Sequence, residues 1–424
     1  MLDLKRIREH PDDVRAALAR RGEGAVEGLD EVIRLDADRR ALLPELEGLR
    51  AEQNEANARI RAATEPGERE REIEAMRTVA ARVKGLEQRL AGVEEALHAA
   101  LSPLPNLPDP MAAPGPEDEL VREVGAPREL GFPPRDHLEL AGGLIDMERA
   151  AKLSGARFAY LRGALVVLEL ALVRWALETL AGHGFEPVIP PVLVRERALF
   201  GTGFLPDTEQ QIYTLPEDEL YLVGTSEVAL ASLHDGEILD GGSLPLRYAG
   251  FSPCFRREAG AAGKDTRGIF RVHQFDKVEM FSFVDPADSP AEHERILAIE
   301  EEILLALELP YRVTNIAVGE LGNSAAKKYD CEVWLPSQER YRELTSCSNT
   351  TDYQARRLNI RARRERPGSG RSLETVHTLN GTAVAVGRTI LALLENGQQQ
   401  DGSVQLPAAL APFGAPARIG AVSG

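Results

Sequence analysis

Two segments near the middle of the sequence carry the residue types that bind a nucleotide. The first contains Arg256 and Glu258, and the second contains Arg271, Phe275 and Glu279. If both segments are strands, side-chain alternation puts the first two residues on one face of one strand, and the other three, spaced by four, on one face of the next. Together they offer an aromatic plane for a base, guanidinium groups for phosphates and acids for an amine. The alternative is a salt-bridged sheet surface that faces solvent.

Two later clusters favour the nucleotide interpretation. Glu343, Thr345 and Ser346 bring an acid and hydroxyls together, and such oxygen atoms suit Mg²⁺ on a nucleotide. The segment Asn380–Thr382 is followed by Arg388 at the predicted start of a helix, where small neighbours let a ligand approach the backbone. The sequence contains neither GxxxxGK[ST] nor a strand-turn-helix GxGxxG, so side chains must hold ATP if the protein uses it.

Composition and charge argue against several classes of protein. The chain has 424 residues and a net charge of −17, from 50 Lys plus Arg and 67 Asp plus Glu, which disfavours wrapping duplex nucleic acid. The longest apolar stretch, Ala164–Leu168, is too short for a membrane span and no signal pattern is seen, so we expect a cytoplasmic protein without membrane partners. Cys254, Cys331 and Cys347 lie far apart, so we expect neither a disulfide framework nor structural zinc.

The first hundred residues predict a coiled coil. Apolar residues recur at nearly heptad spacing over Leu35–Ile60 and again over Ile73–Leu101, and a turn signal at Thr64–Gly67 separates the two stripes. The pattern predicts an antiparallel helical hairpin with arms of about 30 residues, roughly 45 Å long, in which Pro44 should cause a kink. A dimerisation or spacer element is one interpretation. The other is a phosphate-binding arm, because residues 50–89 are nearly neutral in a strongly acidic chain.

A Pro-rich stretch and then mixed helices and strands follow the hairpin. We therefore divide the chain into a domain at 1–105, a linker at 106–116 and a second domain at 117–424. The predicted helices of the second domain are Leu161–Gly182, Ala291–Leu307 and Thr389–Glu395. Its predicted strands are Gln211–Leu215, Val272–Val284, Tyr311–Val318 and Cys331–Leu335. This arrangement predicts an α+β fold, in which an antiparallel sheet carries helices on its faces.

Several short strings, taken in order, resemble a known family. They are MLDLKRIRE at the start, DHLEL at 136–140, GFEPVIPPVLV at 184–194, GTSEVAL at 224–230, FRREAGAAGKDTRGIFRVHQFDKVEMF at 255–281, YDCEVWLP at 329–336, ELTSCSN at 343–349 and LNGTAVAVGRTILALLENGQQQDGSVQLP at 379–407. In this order and spacing the chain resembles the bacterial seryl-tRNA synthetases, a family of class II aminoacyl-tRNA synthetases, along nearly its full length.

The resemblance implies an enzyme that activates L-serine with ATP and Mg²⁺ to seryl-adenylate and transfers the seryl group to tRNA(Ser), with tRNA(Sec) as a second candidate acceptor. It implies that the N-terminal hairpin binds tRNA, and that the class II catalytic domain forms a homodimer with Pro191 in its interface motif. Two rivals are a ligase that charges a carrier protein, which would not need the arm, and an inactive tRNA-binding scaffold, which would lose Arg256, Glu258 or Arg388.

The resemblance also implies roles for residues at matching positions. The implied catalytic residues are Arg256, Glu258 and Arg388. The implied ATP-binding residues are Arg256, Glu258, Arg271, Val272, Phe275, Glu343, Thr345, Ser346 and Arg388, with Glu343 and Ser346 also as Mg²⁺ ligands. The implied serine-binding residues are Thr225, Ser226, Glu227, Glu279 and Thr382. The chain departs from the family pattern at Arg257, where serine is common, and in having Pro44 in the arm.

Overall fold

The protein divides into two compact units. One consists of Leu2–Pro105 and the other of Met1 with Asn106–Gly424. The computed structural model describes all residues apart from 207–210, 260–264, 266, 367–369 and 421–424, so most of the segment that joins Glu258 to Arg267 lies outside the described residues. Within the described residues no helix is both long and apolar enough to cross a membrane.

The N-terminal unit is helical. Its helices are α1 (Leu4–Glu9), α2 (Pro11–Ala19), α3 (Leu29–Ala62) and α4 (Pro66–Leu101). Asp36 of α3 is buried and accepts hydrogen bonds from Arg8 Nε at 2.9 Å and from Arg40 Nε at 3.1 Å. The pair with Arg8 fastens α1 to the start of the long helix.

Helices α3 and α4 form the predicted hairpin. Its buried seam consists of Leu42, Leu46, Leu49, Val79, Val83 and Leu86. Ion pairs cross between the arms, with Nε of Arg39 lying 2.9 Å from Oε1 of Glu94. The turn is shorter than predicted because Pro66 occupies the first turn of α4, where its missing N–H costs no hydrogen bond. The helix α3 runs through Pro44 without interruption, and the kink stays a prediction.

The segment predicted as a linker packs against the second unit. Asn106 donates through its side-chain amide to the carbonyl oxygens of Ser324 at 2.9 Å and Thr350 at 2.8 Å. Leu107 and Ala112 are buried. The prolines therefore prevent helix formation here, while the extended chain is held by side-chain and backbone contacts.

The second unit is built on a large antiparallel sheet, as predicted. Its strands and those of the smaller sheets are β1 (Glu119–Val124), β2 (Ile145–Asp146), β3 (Tyr160–Leu161), β4 (Glu186–Val188), β5 (Leu193–Val194), β6 (Thr214–Leu215), β7 (Leu220–Leu222), β8 (Ile238–Asp240), β9 (Leu246–Phe255), β10 (Gln274–Val284), β11 (Tyr311–Asn315), β12 (Lys327–Leu335), β13 (Arg340–Thr351), β14 (Arg361–Arg366), β15 (Gly370–Thr375), β16 (His377–Ala385), β17 (Val404–Gln405) and β18 (Arg418–Ile419). In the described part of the chain, eight strands form the large sheet in the order β1-β11-β12-β13-β16-β10-β9-β4. Neighbouring strands are antiparallel, apart from the parallel pair β4 and β9.

Helices cover the sheet and complete its core. They are α5 (His137–Ala141), α6 (Met147–Ser154), α7 (Ala164–Gly182), α8 (Glu196–Thr202), α9 (Glu227–Ala231), α10 (Ser289–Ala306), α11 (Tyr353–Arg357) and α12 (Val386–Gly397). Helices α7, α10 and α12 contact the central strands and supply Leu172, Ile296 and Leu391 to a continuous apolar core. A rigid sheet is the result, and its central strands β13, β16, β10 and β9 carry the functional candidates.

Candidate active site

The central strands line a cleft of about 580 Å³ that brings most of the predicted site residues together. Strand β10 contributes Phe275 and Glu279, β13 contributes Glu343 and Ser346, and the first turn of α12 contributes Arg388. Because these segments are far apart in sequence, the sheet order is what makes them neighbours.

Arg256 is fixed at one wall of the cleft. Its Nε donates to the carbonyl oxygen of Gly224 at 3.1 Å, and its guanidinium carbon lies 5.3 Å from the ring centre of Phe275. The backbone N–H of Arg256 donates to the carbonyl oxygen of His273 at 2.9 Å, and Nδ1 of His273 lies 2.9 Å from the Arg256 carbonyl oxygen. His273 therefore supports the backbone of Arg256.

The predicted strand around Arg256 and Glu258 is wrong in its extent. Strand β9 ends at Phe255, and Glu258 has a φ of 49°, so the chain turns away where alternation was assumed. Arg271 likewise precedes β10, which begins at Gln274. Both side chains still reach the cleft, where Glu258 forms an ion pair with Arg271.

Arg388 closes another side of the cleft. Its Nη1 donates to the Glu343 backbone oxygen at 3.2 Å and lies 3.4 Å from the Glu343 carboxylate. Its guanidinium carbon is 4.7 Å from the ring centre of Phe270. Burial alone would raise the pKa of Glu343, but nearby positive charges, above all Arg388, outweigh burial and hold this pKa below its usual value. Glu343 is therefore an ionised acceptor that faces the cleft.

The hydroxyls beside Glu343 differ in direction. Ser346 lines the cleft. Thr345 also borders it, but its side-chain hydroxyl donates to Oε2 of the buried Glu300 at 3.2 Å. The Thr345 hydroxyl is thus committed to the interior, and its backbone is the part that can face a nucleotide.

The other end of the cleft combines a lysine, carboxylates and threonine hydroxyls. Lys277 donates through Nζ to the Thr225 hydroxyl at 2.7 Å and forms an ion pair with Glu279. The Thr382 hydroxyl donates to the Glu279 carboxylate at 3.3 Å. All four side chains are buried, so their polar groups satisfy one another until a ligand replaces some of these bonds.

Two neighbouring predictions have different outcomes. Glu227 lines the cleft and accepts a hydrogen bond from Gln354 Nε2 at 2.8 Å. Burial, with a smaller effect from Glu279, raises the pKa of Glu227 to about 7. Ser226 does not line the cleft, because it precedes α9 with a fully buried hydroxyl that has no hydrogen-bond partner among the described residues.

The sequence reasoning missed Lys277 and Gln354. Lys277 lies between Phe275 and Glu279 at a spacing of two, and strand alternation alone could have identified it. Gln354 on α11 reaches Glu227 across 127 residues of sequence, and nothing in the local sequence marks it. Across the part of the chain that the structure describes, no group of three or more His, Cys, Asp or Glu side chains is arranged to hold a metal ion.

Comparison with known families agrees with this geometry. The seryl-tRNA synthetase N-terminal domain matches residues 1–108, and the class II core domain of tRNA synthetases (G, H, P, S and T) matches residues 212–397. The second match contains the cleft residues from Ile212 to Arg388, whereas Thr202, Gly203, Phe204 and Gln211 of the cleft lining precede it.

Full-length relatives extend the match. The chain is 51% identical over 418 residues to a serine–tRNA ligase of Acidothermus cellulolyticus, covering 97% of this chain and 98% of the relative. It is 50% identical to a serine–tRNA ligase of Streptomyces coelicolor, covering 97% of each. The solved seryl-tRNA synthetase of Pyrococcus horikoshii, complexed with ATP, aligns with a TM-score of 0.91 and 42% identity over 99% of both chains. The chain therefore belongs to the seryl-tRNA synthetase family of class II ligases, which join serine to tRNA.

Proposed function

We propose that the cleft carries out both half-reactions of this ligase: serine and ATP form seryl-adenylate, and the seryl group then passes to tRNA(Ser). The division of the cleft carries the proposal. Arg256, Arg388 and Glu343 occupy one end, while Lys277 and Glu279 with two threonine hydroxyls occupy the other. The first end suits a nucleotide and the second an amino acid with a hydroxyl group. The proposal assigns the reaction to the cytoplasm, because translation uses the product there.

At the nucleotide end, Arg256 is the proposed partner of the α-phosphate. The serine carboxylate attacks the α-phosphorus, and the bond to pyrophosphate breaks. Negative charge grows on the phosphoryl oxygens, and a pre-positioned guanidinium stabilises it without transferring a proton. Phe275 offers its ring to the adenine, and Arg388 covers the base or binds the γ-phosphate.

If both Glu258 and Arg271 bind ATP, the ion pair between them must break. The two side chains are paired to each other in the structure, and Glu258 is the proposed acceptor for the adenine amine, together with the backbone near Val272. A phosphate group can replace the carboxylate as the partner of Arg271, which frees Glu258 for the base.

Glu343 and Ser346 fit a Mg²⁺ ion that arrives with ATP. Mg²⁺ is commonly held by one or two carboxylates together with substrate phosphates, and Glu343 is ionised and faces the cleft. When bound, the ion neutralises phosphate charge. The donor set present on these strands is too small for a cage made of protein alone, which is consistent with a nucleotide-borne ion.

At the amino-acid end, Glu279 is the proposed acceptor for serine. Its carboxylate already accepts from Thr382, and Lys277 bridges it to Thr225. A site that hydrogen-bonds the serine hydroxyl rejects alanine by about 10⁴ or more, because its own polar groups would be left unpaired. Glu227 borders this end and contributes a second acid.

The helical hairpin is the proposed tRNA-binding arm. Its distal half presents exposed Arg69, Arg82 and Lys84, so phosphates can approach it despite the acidic composition of the whole chain. We assign tRNA(Ser) as the acceptor and keep tRNA(Sec) as a second candidate. In the transfer step the terminal hydroxyl of tRNA attacks the adenylate carbonyl, AMP leaves and the hydroxyl proton is released.

A homodimer is the proposed assembly. Val166, Val167 and Leu170 form an exposed apolar face on α7, and Ile189 is exposed next to the strand β4. Isolated apolar residues are common on protein surfaces, but a cluster on one helix marks a contact surface.

Replacing Arg256 tests the proposed function. Arg256→Ala should slow serine-dependent ATP–pyrophosphate exchange by about 10² to 10³, because roughly 3 kcal/mol of phosphate stabilisation is lost. Arg257→Ala is the matched control, since Arg257 is exposed and does not line the cleft. An unchanged exchange rate in folded Arg256→Ala would refute the assignment.

A further inference from the structure

The DHLEL segment at 136–140 has no role in the proposed function, yet several of its side chains are held by hydrogen bonds. Asp136 caps α5 by accepting a hydrogen bond from the backbone N–H of Glu139 at 2.9 Å, and the Glu139 carboxylate accepts from the backbone N–H of Asp136 at 3.0 Å. This reciprocal capping box fixes the first turn of a five-residue helix. The orientation of His137, the next residue, is fixed with it.

Both ring nitrogens of the buried His137 are engaged. Its Nε2 accepts from the backbone N–H of Ile269 at 3.2 Å, so that nitrogen carries no proton. Its Nδ1 therefore carries the proton and donates to Oε1 of Glu395 at 3.3 Å. Glu395 is fully buried, and its second oxygen accepts from the backbone N–H of Ser337 at 3.1 Å. The tautomer and the orientation of the ring are thus determined by the fold.

The backbone passes too close to His137 for any residue but glycine. Gly268 has a φ of 77°, and a Cβ built on it would lie 1.9 Å from Nε2 of His137. One residue earlier, Nε of Arg267 donates to Oδ2 of Asp136 at 2.8 Å. Asp136 and His137 therefore hold three successive residues, Arg267, Gly268 and Ile269; we call this pair the 136–137 clamp.

The residues that follow the clamp enter the nucleotide end of the cleft. The carbonyl oxygen of Phe270 accepts from Nε of Arg388 at 3.2 Å. Two guanidinium groups contact the Phe270 ring, that of Arg342 at 3.9 Å and that of Arg388 at 4.7 Å from its centre. Arg271 comes next and pairs with Glu258. A shift of Ile269 would consequently displace both Phe270 and Arg271.

We propose that His137 is a positioning residue for ATP: through Ile269 it sets the place of Phe270 and Arg271, and through Phe270 that of Arg388. The inference rests on the proposed function, because it needs ATP at this end of the cleft. Serine binds at the other end, on Glu279 and its neighbours, which the clamp does not touch. The clamp should therefore control the affinity for ATP and leave the affinity for serine almost unchanged.

His137→Ala in the full-length protein tests the proposal. Removing the acceptor leaves the Ile269 N–H buried without a partner, and the displaced loop should raise the Kd for ATP, measured by calorimetry without serine, by about fivefold or more. In pyrophosphate exchange, KM for ATP should rise by the same factor while KM for serine stays within about twofold. A purely structural role would lower the melting temperature without separating the two KM values.

Two further variants distinguish a specific loss of ATP binding from misfolding of the protein. His137→Gln can offer a side-chain oxygen to Ile269 and should recover part of the ATP affinity. Gly268→Ala should weaken ATP binding by itself, because its Cβ meets the imidazole, yet it should cost less in the His137→Ala background, where the imidazole is gone. This non-additivity requires a folded protein and direct contact between the two residues.

His234→Ala is the matched control. His234 also uses both ring nitrogens, at 2.8 Å from the Glu237 carboxylate and 2.9 Å from the Tyr248 hydroxyl, but it does not line the cleft. It should leave both KM values unchanged. Wild-type affinity for ATP in folded His137→Ala, or an equal rise of both KM values, would overturn the clamp. Absence of serine-dependent exchange in the wild type would instead refute the proposed function.

Discussion

Glu300 is a carboxyl group buried beneath the cleft, outside the proposed chemistry. It lies on α10, is fully inaccessible and accepts a hydrogen bond from the Thr345 hydroxyl, with Cys331 Sγ at 3.7 Å. Its other oxygen has no partner among the described residues. Burial raises the pKa of Glu300 well above its usual value, so the folded protein favours the protonated form of this group more than the unfolded chain does.

The free energy of unfolding should depend on pH because of the raised pKa of Glu300. The unfolded chain releases the Glu300 proton near pH 4.5, whereas the folded protein keeps it, so the free energy of unfolding falls as pH rises above that value. The fall amounts to about 1.4 kcal/mol per pH unit until the folded pKa is reached. Glu300→Gln should lack this contribution in urea unfolding measured at pH 6 and pH 8. Parallel pH dependence in variant and wild type would mean that Glu300 is not held neutral.

For single residues, the sequence predicted which side chains lie in the cleft better than it predicted what those side chains contact. The cleft is lined by four residues that the sequence identified, Arg256, Phe275, Glu279 and Arg388. They could be identified because their residue types are unusual enough to stand out from the sequence alone. The ion pair of Glu258 was not predicted, since alternation requires a strand that ends three residues earlier. Such contacts depend on where the backbone turns, which residue types do not encode locally.

Among the elements, the hairpin offers the clearest separation of functions. Replacing residues 40–93 with a short glycine-containing turn should preserve the base of the unit, because Arg39 and Glu94 already face each other at 2.9 Å and Asp36 stays in place. Pyrophosphate exchange should stay within about twofold, since no cleft residue is removed, whereas tRNA(Ser) charging should fall by about 10² or more through lost phosphate and shape contacts.

Charging kinetics and filter binding over a range of salt concentrations would measure the two effects. Binding by the intact protein should weaken as salt rises, and the shortened protein should lose most of that salt dependence. If the shortened protein charges tRNA(Ser) at an unchanged rate, the hairpin is a spacer and does not bind tRNA. A loss of exchange would show that the arm supports the catalytic unit directly.

Element type was easier to predict than element ends. The helix predicted over Leu161–Gly182 is observed over Ala164–Gly182, because a long apolar periodicity is hard to mistake. The strand predicted over Gln211–Leu215 shrinks to Thr214–Leu215, since so short a strand depends on pairing with β7. The heptad stripes predicted the hairpin itself, because coiled-coil packing is a local consequence of the sequence.

At the scale of the whole molecule, the α7 face predicts the assembly. Leu170→Glu would place a charge on the proposed apolar contact. Light scattering should therefore report twice the monomer mass for the wild type and the monomer mass for the variant.

A second exposed leucine provides the comparison. Leu305 on α10 is 57% exposed, close to the 64% of Leu170, and Leu305→Glu should leave the mass unchanged. If Leu170→Glu remains a dimer, the contact lies elsewhere on the molecule. A wild-type protein that is monomeric and active at every concentration would contradict the dimer altogether.

The strand order of the large sheet also has a consequence for biosynthesis. Helices α3 and α4 are joined by a three-residue turn, and their contacts can form once Leu101 has left the ribosome. The hydrogen bond from Thr382 to Glu279, in contrast, joins strands 103 residues apart. While residues 285–376 are being made, β10 has no β16 beside it, and its free edge can pair with another nascent chain. An unpaired strand edge is a template for aggregation, so this risk lasts until β16 has been made.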